Sequence, residues 1–260
     1  MKPKFSIITV NYNNLDGLKK TVDNIKKQTF QGFEYIVIDG HSTDGSANYI
    51  KENKGLFDFW VSEPDEGVYH AMNKGIKHAS GDYLLFLNSG DHFYNSKVLE
   101  NNKEHIKDSD LVYFNLQVVE GNKTFTKTYP DTLSFSYFVE DTLPHPATFI
   151  KKEAFLKTNL YKEDFKIVSD WKFFIDAICK YNLSYKHIAK PLSTFYIGGL
   201  SSNPKNQIIK FNEKEAVLHG DYLTYMHDVD AIITNRKILD NLRSSKTISL
   251  LIKLGVLNKF

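Results

Sequence analysis

The chain has 260 residues, a formal net charge of +2, 42% apolar and 25% charged residues. A length and balance of this kind suit a globular protein with a substantial core. The near-neutral charge argues against a nucleic-acid partner, and no apolar run reaches the ~18 residues of a membrane-spanning helix. The single cysteine, Cys179, cannot form an internal disulfide. It points to a reducing compartment and reads as a core thiol rather than a nucleophile.

The first third alternates strand and helix patterns. Residues 5–10 (FSIITV) form a short β-branched run, and residues 15–27 carry Leu18, Val22 and Ile25 at helical spacing. Residues 33–38 (FEYIVI) predict a second strand. Thr43 and Asp44 are suited to cap a helix that runs to about residue 53. A third strand is expected at 57–61, a helix at 68–79 with Val68, Met72 and Ile76 on one face, and a fourth strand at 82–87. This β-α-β-α-β-α-β order implies an α/β fold with a mainly parallel sheet covered by helices. Right-handed crossovers bring the carboxyl ends of such strands to one edge, where ligands of these sheets bind.

The residues following the strands therefore form a candidate site. They are Asn11, Tyr12 and Asn13; Asp39, Gly40, His41 and Ser42; the segment 62–67 (SEPDEG), with Asp65 and Gly67; and Asn88, Ser89, Gly90 and Asp91. Amides near Asn11 can bond a base on which Tyr12 stacks, although Asn is common in such turns anyway. The Asp39 carboxylate can accept the N–H of a uracil or a ribose hydroxyl. Lys74 can offset phosphate charge, and Asn73 can bond a ribose or the loop; Lys74 can equally be a solvated helix lysine. The strand ends lack both G-x-G-x-x-G and G-x-x-x-x-G-K-[ST], which removes the main support for Rossmann-cofactor and P-loop readings.

Beyond residue 95 the pattern changes. Extended segments at 110–119 and 123–129 flank a Gly121-Asn122 turn, and Pro144-His145-Pro146 forms a stiff loop. A short strand at 148–151, a helix at 152–158, a helix over 171–181 opened by Ser169 or Asp170, and an extended stretch at 192–197 follow. That stretch leads into Gly198, Gly199, Leu200, Ser201 and Ser202. From Lys205 onward the chain reads as helical. The organisation expected is one catalytic domain over 1–203, with halves 1–94 and 95–203, and a helical extension over 204–260.

The ordered strings TVNYNN, VIDGHSTDGS and EPDEGVYHAMNKGIKHASGDYLLFLNSGD resemble the family 2 glycosyltransferases, inverting enzymes of the GT-A fold. Looser likeness continues through HPATFIKKEAF, VSDWKFFI and FYIGGLSS, in the manner of bacterial enzymes that build capsule, O-antigen or exopolysaccharide. The resemblance implies a nucleotide-diphosphate sugar donor, often UDP-linked, a glycan or lipid-linked acceptor, and a divalent metal, Mn²⁺ or Mg²⁺. It implies that Asp39 contacts the base and that Thr9, Val10, Asn11 and Tyr12 line the nucleotide pocket. It places a general base at Asp170; Glu163 and Asp164, in a segment that reads as a loop, are the runner-up carboxylates. From its Pro-flanked setting His145 is expected on the donor-sugar or acceptor side, and Gly198, Gly199 and Ser201 are expected to form a flap over the donor, with a simple strand-end turn as the alternative. Such enzymes usually carry two or three acids where this chain has Asn88-Ser89-Gly90-Asp91; here Asp91 alone is acidic and is the expected metal contact.

Two alternatives stand beside that reading: a sugar-phosphate nucleotidyltransferase, or a non-catalytic nucleotide-sugar-binding module. The C-terminal stretch RKILDNLRSSKTISLLIKLGVLNKF alternates apolar and basic residues. Packing on the domain or on a second subunit, as in a homodimer, is the first expectation for it, and peripheral contact with an anionic membrane the second. The location expected is the cytoplasm, including the cytoplasmic face of the inner membrane.

Overall fold

Short β-branched runs bounded by polar turns become the central strands. The computed structural model describes residues 4–258. Strands β1 (Phe5–Asn11), β2 (Phe33–Asp39), β3 (Phe59–Ser62) and β4 (Tyr83–Phe86) alternate with helices α1 (Leu15–Lys26), α2 (Ser46–Glu52) and α3 (Val68–His78). All the β1–β2, β2–β3 and β1–β4 pairings are parallel, in the order β3-β2-β1-β4. The chain runs outward from β1 to β3 and then returns to the other side of β1. The carboxyl ends of β1 and β4 therefore flank a topological switch point.

The second half extends the same nine-stranded sheet, in the full order β3-β2-β1-β4-β8-β6-β9-β5 with β7 on β6. Its strands are β5 (His92–Phe93), β6 (Leu111–Glu120), β7 (Lys123–Lys127), β8 (Thr148–Lys151) and β9 (Tyr185–Tyr196). β8 joins antiparallel to β4 and to β6, while β9 runs parallel to β6 with irregular register around Asn115. Helices α4 (Val98–Asn102), α5 (Phe135–Glu140), α6 (Lys152–Thr158) and α7 (Ser169–Ile175) are short. The helix expected over 171–181 is α7 followed by a π-helical turn, Asp176–Lys180, that carries Cys179. Partial burial and the neighbouring Asp176 push that thiol up to about 11, so it is protonated at neutral pH.

The core is aliphatic and aromatic, with Phe5, Ile7, Ile8, Leu84, Leu85, Phe86, Phe114, Phe149 and Phe174 all fully buried. α1 buries Leu18, Thr21, Val22 and Ile25, and α3 buries Tyr69, Met72 and Ile76.

Two compact units divide the chain, Met1–Lys214 and Glu215–Phe260. The division falls inside helix α8 (Gln207–Asp221). In the second unit α9 (Leu223–Ser244) contacts α10 (Lys246–Lys253), whose first turn is capped by Ser245. No helix among the described residues is long and apolar enough to cross a membrane.

Candidate active site

Register alone sets three polar residues side by side. Asn11 pairs with Asp39, and Asp39 with Ser62, so the last residues of β1, β2 and β3 are neighbours. The fully buried Asp39 carboxylate accepts four hydrogen bonds: from Asn11 Nδ2 (2.7 Å), Ser42 Oγ (2.6 Å), Ser42 N (3.0 Å) and Ser62 Oγ (2.6 Å). Two oxygens with about four lone-pair positions are thereby filled. In the structure Asp39 knits the sheet edge together, with no lone pair left over for a base.

One residue further on, Gly40 packs closely against two side chains. A Cβ built on Gly40 would meet Asp65 Oδ2 at 2.5 Å and Tyr12 Cδ2 at 3.2 Å, so glycine lets those two side chains lie against the backbone there. Tyr12 is 68% exposed, which leaves a ring face free to stack. Asp65 Oδ1 accepts the Gly67 N–H at 3.0 Å and shapes the turn into α3.

Across the switch point, residues 88–91 are held to α1. Gly90 has φ +105°, a left-handed conformation suited to glycine. The Thr21 hydroxyl accepts the Gly90 N–H (3.0 Å) and donates to the Asp91 carbonyl (2.7 Å), while Asn14 Nδ2 donates to the Ser89 carbonyl (3.0 Å). Neither Thr21 nor Asn14 stood out in the sequence, because their partners lie some 70 residues away. The Asp91 carboxyl has no hydrogen-bond partner among the described residues. The residue as a whole is only half-buried, but its carboxyl is enclosed, and burial pushes it up to about 8 despite the opposing pull of Lys20. The Lys20 ammonium itself sits 3.3 Å from the centre of the Tyr196 ring.

Three buried oxygens at this edge also lack partners among the described residues: Asn11 Oδ1, Asn88 Oδ1 and Ser89 Oγ. An unsatisfied buried polar atom costs about 1–3 kcal/mol, and clustering of such atoms is expected where a ligand completes them. A carboxylate, an amide carbonyl and a hydroxyl are hard oxygen donors of the type that Mg²⁺ and Mn²⁺ accept. The residues present thus fit a divalent cation, which would displace the proton that burial keeps on Asp91 and so gain its one anionic ligand. A second group, Glu66, His70 and Glu163, has ligand atoms within 4.8 Å of one another. It suits a metal less well. His70 Nδ1 accepts the Glu66 N–H (2.9 Å), which leaves the neutral ring's Nε2 protonated, and Glu163 Oε1 accepts from Asn73 (2.7 Å).

Asp170 is in the first turn of α7, partly exposed; Val168, not Asp170 or Ser169, is the N-cap. The Tyr69 hydroxyl lies 2.9 Å from Asp170 Oδ1 and 2.6 Å from the Ile167 carbonyl, tying the acid to the start of α3. Burial, reinforced by the negative Asp170, holds the Tyr69 phenol well above its usual range, so it stays a proton donor. His145 is 8% exposed, stacked on Phe86 at 4.8 Å, with Nε2 2.8 Å from the Tyr161 hydroxyl. Burial lowers its pKa against the pull of Asp170, leaving a neutral ring at pH 7.

Other expected residues have different contacts. Thr9 is fully buried and donates to the Leu87 carbonyl (2.7 Å); Val10 is buried beside it. Thus of the four residues after Ile8 only Tyr12 is exposed, and Asn11 has a buried side-chain oxygen without a partner among the described residues. Asn73 is buried and bonds the backbone of Tyr161 as well as Glu163, and Lys74 is paired with Glu63 at 2.8 Å and with the Pro64 carbonyl. Both therefore organise loops. Gly198, Gly199 and Ser201 lie on an exposed turn after β9, closed by the Ser202 hydroxyl, which accepts the Gly198 N–H at 2.8 Å.

Residues 6–167 match the family described as "Glycosyl transferase family 2". The chain belongs to that family. An uncharacterized glycosyltransferase of Mycobacterium tuberculosis is 37% identical to it over 180 residues, 67% of this chain and 69% of the relative. A PGL/p-HBAD biosynthesis glycosyltransferase of Mycobacterium bovis is 30% identical over 208 residues, 77% of this chain and 80% of the relative. Among solved structures, S. aureus TarS 1–349 in complex with UDP-GlcNAc superposes with a TM-score of 0.61 at 20% identity, covering 76% of this chain and 59% of that one. The mannosyltransferase PcManGT from Pyrobaculum calidifontis, in complex with GDP-Man and Mn²⁺, gives 0.57 at 15% identity, covering 98% and 80%. These likenesses establish the GT-A fold for this family 2 glycosyltransferase, and the family favours glycosyl transfer over the nucleotidyltransferase alternative.

Proposed function

We propose that this glycosyltransferase moves a sugar from a nucleotide-diphosphate donor, UDP-linked in the simplest case, to a hydroxyl of a glycan or lipid-linked acceptor, with inversion, in surface-polysaccharide biosynthesis. The observation that carries the reading is the switch-point edge itself. Gly40, packed against Tyr12 and Asp65, lies at the same strand-end edge as buried oxygens and an Asp91 carboxyl without hydrogen-bond partners among the described residues. A base stacked on Tyr12 with its diphosphate toward residues 88–91 uses both. The UDP-GlcNAc and GDP-Man complexes of the two structural relatives support a nucleotide-sugar donor.

In this reading Asp170 takes the proton of the acceptor hydroxyl as its oxygen bonds to the anomeric carbon. The bond from that carbon to the diphosphate oxygen breaks with its electron pair, and the nucleoside diphosphate leaves. A single displacement inverts the centre. Tyr69 orients the Asp170 carboxylate through Oδ1, and Oδ2 is the oxygen that takes the proton. Asp91 and Asn88 Oδ1 would hold a divalent cation, which would supply charge neutralisation for the diphosphate leaving group. Lys20 adds positive charge on the same side.

Incubation with UDP-, GDP- and dTDP-sugars, with and without Mn²⁺, tests the proposal through nucleotide release and donor binding. Binding of one class with a free-nucleotide product is expected. Absence of binding by every nucleotide sugar, under either condition, is incompatible with it.

A further inference from the structure

We infer that Glu213 is a positioning residue for Asp170; the inference rests on the reading of Asp170 as the base. The segment entering α7 presents three successive backbone N–H groups, and its N-cap, Val168, offers no side-chain acceptor. Glu213 of α8 accepts all three: Lys166 N at 2.7 Å on Oε1, and Ile167 N at 3.0 Å and Val168 N at 3.2 Å on Oε2. Bonds to an ionised acceptor are roughly twice as strong as neutral ones, so this carboxylate fixes the segment where a cap residue is missing.

The next residue grips the other side. Lys214 Nζ sits 4.7 Å from the Trp171 ring centre and donates to the Val139 carbonyl at 3.2 Å. Two consecutive residues of α8 thus hold the backbone just before Ser169 and the ring just after Asp170. The middle of the gripped segment is also where the acid is oriented. Ile167 gives its N–H to Glu213 and its carbonyl to the Tyr69 hydroxyl, and that hydroxyl lies against Asp170 Oδ1. Among the described residues the hydrogen bonds of the Glu213 carboxylate go to the segment entering α7 and none to the switch-point edge. Its influence on transfer runs through the placement of Asp170, where a shift of about 1 Å costs on the order of a hundredfold in rate.

The experiment is a double-mutant cycle on the full-length chain. It uses whichever UDP-, GDP- or dTDP-sugar the wild type turns over fastest. Nucleotide affinity and amide exchange at residues 166–168 are read in parallel. Glu213→Ala is expected to lower kcat tenfold to a hundredfold with nucleotide affinity within about twofold, by the misplacement argument above. Exchange at 166–168 should accelerate, and Glu213→Asp should recover part of the rate. In an Asp170→Asn background the Glu213→Ala change should alter the rate by less than about twofold, because the two act as one unit. Wild-type turnover in Glu213→Ala beside an inactive Asp170→Asn overturns this inference alone, as does a rate loss that multiplies in the double variant or that follows lost nucleotide affinity. Wild-type turnover in Asp170→Asn removes the base assignment and this inference with it. If Glu213→Ala does not fold, Glu213→Asp and Glu213→Gln carry the same comparison.

Discussion

The Thr21 hydroxyl donates to the Asp91 carbonyl at 2.7 Å, so a residue of α1 fixes the backbone of the one acid at the end of β4. The same oxygen accepts the Gly90 N–H, at a position where φ is +105°. Thr21→Val keeps the shape and removes both bonds. We expect it to destabilise the fold by about 1–3 kcal/mol, the cost of leaving buried polar groups unmade. It should also weaken Mn²⁺-dependent nucleotide binding. Thermal unfolding and a nucleotide titration with and without Mn²⁺ measure the two effects.

Asp91 makes a prediction about pH. Its carboxyl is raised to about 8 in the fold and titrates near 3.9 when unfolded. Between those values the native chain holds a proton that the unfolded chain has released. Stability from this group therefore falls as pH rises from about 4 to 8 and is level above. Asp91→Asn removes that loss. Its Tm relative to wild type should climb between pH 5 and pH 8.5 while nucleotide release is abolished. A Tm difference independent of pH would show that the carboxyl is not enclosed.

Gly40→Ala tests the close packing at Gly40. The added methyl would sit 2.5 Å from Asp65 Oδ2 and 3.2 Å from the Tyr12 ring. Nucleotide affinity should fall at least tenfold, with Tm within a few degrees because Asp65 and Tyr12 can swing outward. Tyr12→Ala should weaken binding as well, by about 1–1.5 kcal/mol for a lost ring contact.

The Asp39 network predicts a stability effect larger than any at Gly40. Asp39→Ala strands the four donors that now share its two oxygens. A loss of roughly 3 kcal/mol or more is expected, since bonds to a charged group are the stronger class. Chemical denaturation of the variant in the absence of any nucleotide measures it. An Asp39 whose main task is to bind the base would show little change there.

Much of the N-terminal half was legible in the sequence because its signals are local. The runs FSIITV, FEYIVI and YLLF are continuous and apolar, their crossovers are short, and the polar residues after them fall at the strand ends by topology alone. The second half was harder. Residues 185–191 of β9 are mostly half-exposed, include Pro191 and straddle a register irregularity, so only residues 192–197 read as extended. Roles that depend on distant partners could not be read. Asp39 has the composition of a base contact, but the register sets Asn11 and Ser62 on either side of it and saturates it. Asn73 and Lys74 have the polarity of donor ligands, yet Glu163 and Glu63 occupy them. Asp170 was found by motif resemblance, whereas Glu213, 46 residues beyond Ile167, has no local signature.

The measurement that bears most directly on the account is nucleotide release by Asp170→Asn beside wild type, with nucleotide affinity determined on the same samples. Affinity within about twofold and a rate reduced by on the order of a hundredfold or more, the usual contribution of a general base, are expected. Release at the wild-type rate, with donor bound, would contradict the assignment of Asp170 as the base.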